Sequence, residues 1–223
     1  MQVKLVKKWL YFFYGLVVLA LGVGLTIKGQ LWGLGSWDVL HYGLYTTFGL
    51  TVGSWAIIVG IIIVVSTAIG TRKWPQLGVY VNLFTVGIFI DVFLFILPDV
   101  EGWLLHSVFY VLGVIVLSYG IATYISPNLG AGPRDSLMLL IADKFNLKIS
   151  TSRNLMELFA ATSGFLLGGP VFIGTLFIIL FLGKCIELWL PVTRSLLVKF
   201  LGSDDPSIIR IKNQSSYKKR GVQ

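Results

Sequence analysis

Two short stretches set groups capable of chemistry at matching places. "GLGSWDVL" at 33–40 and "GAGPRDSL" at 130–137 each carry a carboxylate, Asp38 or Asp135, three residues after the second glycine of a Gly-x-Gly pair and at the head of an apolar run. In the first, Gly33 and Gly35 lead into Ser36, and Gly35 can cap a helix in which Asp38 is third. In the second, Gly130 and Gly132 lead into Pro133, which suits the first helical position because its missing N–H costs nothing there. A carboxylate at the third position accepts hydrogen bonds from the orphan N–H groups of a helix start and meets the positive end of the dipole. One reading is therefore structural: both aspartates are caps. The other is that the two helix starts line a polar site where Asp38 and Asp135 hold a cation or proton, while N–H groups and Arg134 meet an anionic group. The readings are compatible. His41, one turn after Asp38, can relay a proton because imidazole titrates near neutrality, or it can simply pack; Met138 stands at its counterpart.

The elements that must position these residues follow from composition. Of 223 residues, 56% are hydrophobic and 13% charged, which marks a membrane protein rather than a soluble domain. Apolar runs at 9–27, 52–70, 77–97, 104–125, 152–168 and 170–190 predict six spanning helices, each near the roughly 20 residues a bilayer requires. The two motifs open shorter helices at 36–48 and 133–145, too short to cross comfortably. Runs such as 56–65 do not alternate, which excludes a β-barrel. The order also repeats. Gly15 and Gly22 match Gly113 and Gly120, "GLTVGS" faces "NLKIST", and Gly78, Gly87 and Asp91 match Gly174, Gly183 and Glu187. The fold expected is an all-α polytopic membrane protein of two tandem pseudo-repeats of about 97 residues, over roughly 9–98 and 104–190. A single transmembrane domain then fills 1–190, with a basic cytoplasmic tail at 191–223.

Two topologies compete. Eight crossings with parallel halves would place Arg72 and Lys73 outside and Asp99 and Glu101 inside, against the charge rule. Six spans with two re-entrant helices make the halves inverted and put Lys4, Lys7, Lys8, Arg72, Lys73, Lys148, Arg153 and the tail in the cytoplasm. Lys28 is the exception. Asp91 and Glu187, near helix ends, are expected to snorkel to the interface.

Several function classes drop out. The net charge of +8 is concentrated at the two ends as a topology signal, with no basic patch interleaved with aromatics for nucleic acid. Cys185 stands alone, and His41 and His106 have no spaced partners, so neither metal nor cofactor is expected. No nucleophile–base pair, HExxH or phosphate loop is present, so the chain does not read as an enzyme, and any transport would draw on a gradient or a separate ATPase. Trp9, Trp32, Trp74, Trp103 and Trp189 fall at span ends, as interfacial anchors do.

"GLGSWDVLHYGL" and "NLGAGPRDSL" together resemble the YczE/YyaS/YitT group of bacterial integral membrane proteins, nearest its YczE branch, over about 9–190. The resemblance implies a multi-pass protein of the bacterial plasma membrane and brings no reaction or substrate. The functional expectation is a small secondary transporter or permease-like protein taking a small molecule or ion at a pseudo-symmetric site of Asp38, Asp135, Arg134, His41 and the glycines 33, 35, 130 and 132. The competing expectation is an accessory or regulatory protein acting through a membrane partner or a second copy, with both aspartates as caps. Both termini are expected in the cytoplasm.

Overall fold

A chain in lipid must satisfy its backbone internally, and the apolar runs do so as helices. The computed structural model describes residues 2–130, 132–147 and 149–202, and within its helices the side chains of Asp135, Leu139, Ile149 and Ser150 lie outside the described set. The described residues form α1 (Gln2–Lys28), a single 3-10 turn (Gln30–Trp32), α2 (Ser36–Phe48), α3 (Val52–Thr71), α4 (Leu77–Ile96), α5 (Gly102–Ile125), α6 (Pro133–Lys144), α7 (Ile149–Leu166) and α8 (Ile173–Leu201), with no strand among them. α1, α3, α4, α5 and α8 are long and apolar enough to cross a membrane. The sixth expected span falls on α7, whose first half carries Arg153, Asn154 and Glu157 and is correspondingly less apolar.

α1 and α5 form the central antiparallel pair, and glycines set how close they come. A Cβ on Gly15 would stand 2.5 Å from the Tyr124 nitrogen, one on Gly22 2.4 Å from that of Leu117, one on Gly113 2.7 Å from that of Thr26, and one on Gly120 2.4 Å from that of Leu19. No side chain fits any of these sites, so the two backbones are in direct contact. α4 lies parallel to α1: Gly24 faces Phe93, and Lys28 at the end of α1 is ion-paired with Asp99 just past the end of α4. That pair accounts for the one lysine whose expected side broke the charge pattern. α8 runs parallel to α5, tied at one end by Tyr110 Oη donating to Gly174 O (2.6 Å) and at the other by the Ser126 and Thr193 hydroxyls (3.0 Å).

α3 is antiparallel to α4, and its start is held from outside the helix. Asp91 Oδ1 accepts from Gly53 N (2.8 Å), and Oδ2 accepts from Thr51 Oγ1 (2.6 Å), which in turn accepts from Ser54 N (3.0 Å). Asp91 therefore caps a neighbouring helix instead of snorkelling, because orphan N–H groups lie within reach and the carboxylate suits the dipole's positive end. α8 also departs from expectation, continuing through Pro191 to Leu201. Thr193 is buried with its hydroxyl on Ala122 O, Tyr11 Oη donates to Thr193 O (2.7 Å), and Leu197 and Leu201 pack beside Tyr11. Burial of that face keeps the segment helical.

The short helices leave the middle of the molecule toward opposite ends of α3. α2 ends where Gly49 O accepts from Trp55 Nε1 (2.8 Å), near the start of α3, whereas Leu140 of α6 lies against Gly70 near its end. α2 is held on its other side by α7, where Gly164 meets the backbone of Leu40 and Thr47 Oγ1 donates to Leu167 O (2.9 Å).

Candidate functional site

Both motif helices start as the sequence predicts, α2 behind Gly35 and α6 behind Gly132 with Pro133 in the first turn. The Asp38 carboxylate folds back beside Gly35, where a Cβ would lie 3.0 Å from Asp38 Oδ2. Asp38 is only 8% exposed, and the charges that act on it are those of Arg134 and Glu157. Gly33 (φ +88) lies against Phe172 and Thr175 at the head of α8. Gly130 (φ +144) lies against Gly78 and Val79 at the head of α4. These two glycines serve backbone turns and close packing, and Gly130 also lines a cavity with Val79 and Asn128.

The starts of the two short helices meet at one contact. The Arg134 guanidinium sits over the Trp37 ring, 4.8 Å from its centroid, joining the second motif to the first. Cation–π stacking of this kind is favourable when partly desolvated, and it occupies the guanidinium's face, leaving its in-plane N–H edge for other partners. Two cavities flank the pair, and Trp37, Tyr124 and Arg134 line both.

The first cavity, about 150 Å³, lies level with the middle of α1, α3 and α4, between Leu19, Gly60 and Val86. Its polar wall is His41, Asn82, Tyr124, Arg134 and the Gly132–Pro133 start of α6; the rest is apolar. Tyr124 Oη and Asn82 Oδ1 converge on that start, 3.6 and 4.0 Å from where a Cβ on Gly132 would stand. His41 is 2% exposed, and its Nδ1 has no hydrogen-bond partner. The second cavity, about 160 Å³, has Arg153 and Glu157 where the first has Ala56 and Gly60.

Larger vestibules lie beyond the first cavity along the same helices. One of about 670 Å³, toward the start of α3, is lined by Val52, Asp91, Leu94, Lys28, Asp99 and His106. The other, about 750 Å³, toward the end of α3, is lined by Thr67, Val79, Lys73, Asn128 and Asp143.

Of the residues the sequence singled out, His41, Arg134 and Gly132 line the central cavity; Asp38 and Gly35 do not, and Gly33 and Gly130 lie at the heads of α8 and α4. The Asp135 side chain lies outside the described residues. Asn82 and Tyr124 were missed. Asn82 is a lone amide in the apolar run of α4, a signal the sequence does carry; Tyr124 is one aromatic among many and becomes distinctive only through its position.

A family model described as "Family of unknown function (DUF6198)" matches residues 6–191. The "Uncharacterized membrane protein YczE" of Bacillus subtilis is 43% identical over 197 residues, covering 88% of this chain and 92% of its own. The chain belongs to this YczE-like family. Within the family's reach are also the "Uncharacterized protein YyaS" of Bacillus subtilis, 32% identical over 83% of this chain and 93% of its own. An "Uncharacterized protein" of Haemophilus influenzae is 31% identical over 80% and 81% respectively. No solved structure matches. The family match takes in both motifs and every residue of the central cavity, so the site of this YczE-like protein lies inside the shared part of the chain.

Proposed function

We propose that this YczE-like protein is a small secondary transporter or permease of the bacterial plasma membrane, binding a solute in the central cavity and moving it between the two vestibules without chemical conversion. The observation that carries the reading is the polar cavity at mid-depth, in line between a vestibule of about 670 Å³ and one of about 750 Å³ along α3 and α4. Such midplane sites at the starts of discontinuous helices are where transporters hold substrates.

The reading includes an inverted repeat. A shift of 98 turns the Gly15–Tyr124 contact into Gly113–Thr26, with the partner residues exchanged between α1 and α5, and does the same for Gly22–Leu117 and Gly120–Leu19. A shift of 97 exchanges Trp37 with Arg134 and carries His41, Ala56, Val59 and Gly60 onto Met138, Arg153, Met156 and Glu157, so one cavity's wall becomes the other's. Six helices then cross and α2 and α6 are re-entrant from opposite sides, with both termini cytoplasmic; α7, at 18 residues, is about 27 Å long and spans most of a hydrocarbon core. The halves also differ in packing. Gly87 packs on Ile57 and Gly53, while its counterpart Gly183 meets nothing within 4 Å.

The test is thiol accessibility. In a Cys185→Ser background, Val59→Cys and Val86→Cys place a thiol on the cavity wall. Oriented vesicles treated with a small charged thiosulfonate reagent should label both positions from each side. A wall that stays unlabelled from both sides would favour the accessory-protein reading.

A further inference from the structure

The charge and shape of the central cavity narrow what it holds. Among the described residues of its wall, the one formal charge is Arg134; Asp38, on which that charge acts, does not line it. Arg134 keeps exposed surface, and stacking on Trp37 leaves the planar, bidentate edge of its guanidinium available. The same end of the cavity holds the start of α6, a 12-residue helix whose first N–H groups and dipole favour an anion. Beside them stands a buried imidazole whose Nδ1 has no partner, and such orphan groups in a native interior ask for a missing ligand or water. The rest of the wall is largely hydrocarbon, including Val59, Ile63, Leu83 and Val86. About 150 Å³ is the size of cavity that takes a ligand of roughly six non-hydrogen atoms.

We propose that the central cavity binds a small monocarboxylate, its anionic end between Arg134, the α6 start and His41, and its short alkyl body against Val59, Ile63, Leu83 and Val86. A bidentate guanidinium–carboxylate contact and the helix start supply the charge recognition, and His41 Nδ1–H donates the remaining hydrogen bond. The apolar wall rejects longer polar bodies, because their hydroxyls would find no partners there. This deepens the permease reading and names its substrate class, but binding is measurable without transport.

The test uses the purified full chain in detergent with three four-carbon probes, butyrate, butyramide and butylamine, each at about 10 mM, against a sodium chloride control. A ligand with a Kd near 1 mM at that concentration raises Tm measurably. Butyrate is expected to raise Tm, butyramide to do so weakly, and butylamine not at all. Arg134→Gln should weaken butyrate at least about tenfold, and Arg134→Lys should restore only part, since an ammonium cannot pair bidentately. His41→Leu separates ligand from scaffold. With its partnerless nitrogen gone, the ligand-free protein should melt no lower than the parent, yet the butyrate shift should shrink; a fall in ligand-free Tm with the shift intact would make His41 structural and overturn its role. Stabilisation by butylamine, or none by butyrate, overturns the proposal. Butyrate counterflow in proteoliposomes is read separately. Binding without counterflow leaves the carboxylate site standing and removes the permease, whereas two-sided thiol labelling without butyrate binding does the reverse.

Discussion

Single side chains decide how the helix starts survive in lipid. Asp91 shows this most clearly, since one carboxylate takes the Gly53 N–H and the Thr51 hydroxyl at the head of α3. Asp91→Ala should cost about 1–3 kcal/mol, because the Gly53 N–H is left buried without an acceptor; Asp91→Asn, which keeps one acceptor oxygen, should cost less. Thermal denaturation in mild detergent reads the order, and equal losses for the two variants would mean that the cap matters little. The role was not legible beforehand. An acid near a helix end is ordinarily an interfacial group, and nothing along the chain says that position 53 of another helix comes within 2.8 Å of it. Arg134 was legible as an anion-binding candidate from its place in the motif, whereas its seat over Trp37 required the two motifs to be brought face to face.

At the scale of elements, the boundaries followed from apolar runs and caps wherever one local rule governed. Gly35 and Gly132 cap as expected, and α3 and α4 start at Val52 and Leu77 as read. The misread end is that of α8, where a proline and a polar composition indicated a stop and burial of Thr193, Leu197 and Leu201 overrode it. Thr193→Val should therefore lower stability by about 1 kcal/mol, by removing the hydroxyl from Ala122 O and Ser126. The glycine seam gives a sharper prediction. Gly22→Ala and Gly120→Ala each push a methyl into backbone at 2.4 Å, so each should destabilise by about 1–3 kcal/mol and by similar amounts, being equivalent contacts. Gly183→Ala meets open space and should be neutral or slightly stabilising, because a helical glycine is replaced by a better helix former. Denaturation midpoints of the three variants check the set, and a Gly183→Ala loss as large as the others would mean that α8 closes on a neighbour in solution.

For the whole molecule, orientation follows from which ends the charges mark. α1 begins among Lys4, Lys7 and Lys8, and α3 ends at Arg72 and Lys73, while the α1–α4 end carries Asp99 and Glu101 with Lys28 neutralised against Asp99. In the proposed orientation basic loops are retained in the cytoplasm and α1 and α4 run parallel, so the start of α1 and the Arg72–Lys73 turn would share the inner side and 99–101 would face out. The connection between α1 and α3 supports the proposed re-entrant reading. It leaves α1 at the Lys28 end, passes the central cavity at Trp37 and His41, and returns as α2 to the head of α3 beside Asp91, so that on this reading no net crossing occurs between residues 28 and 51. Paired cytoplasmic and periplasmic reporters fused after Lys73, Glu101 and Lys144 should read in, out and in. A reporter after Lys73 that reads out would require α2 to cross fully and would make the halves parallel, ending the inverted-repeat reading.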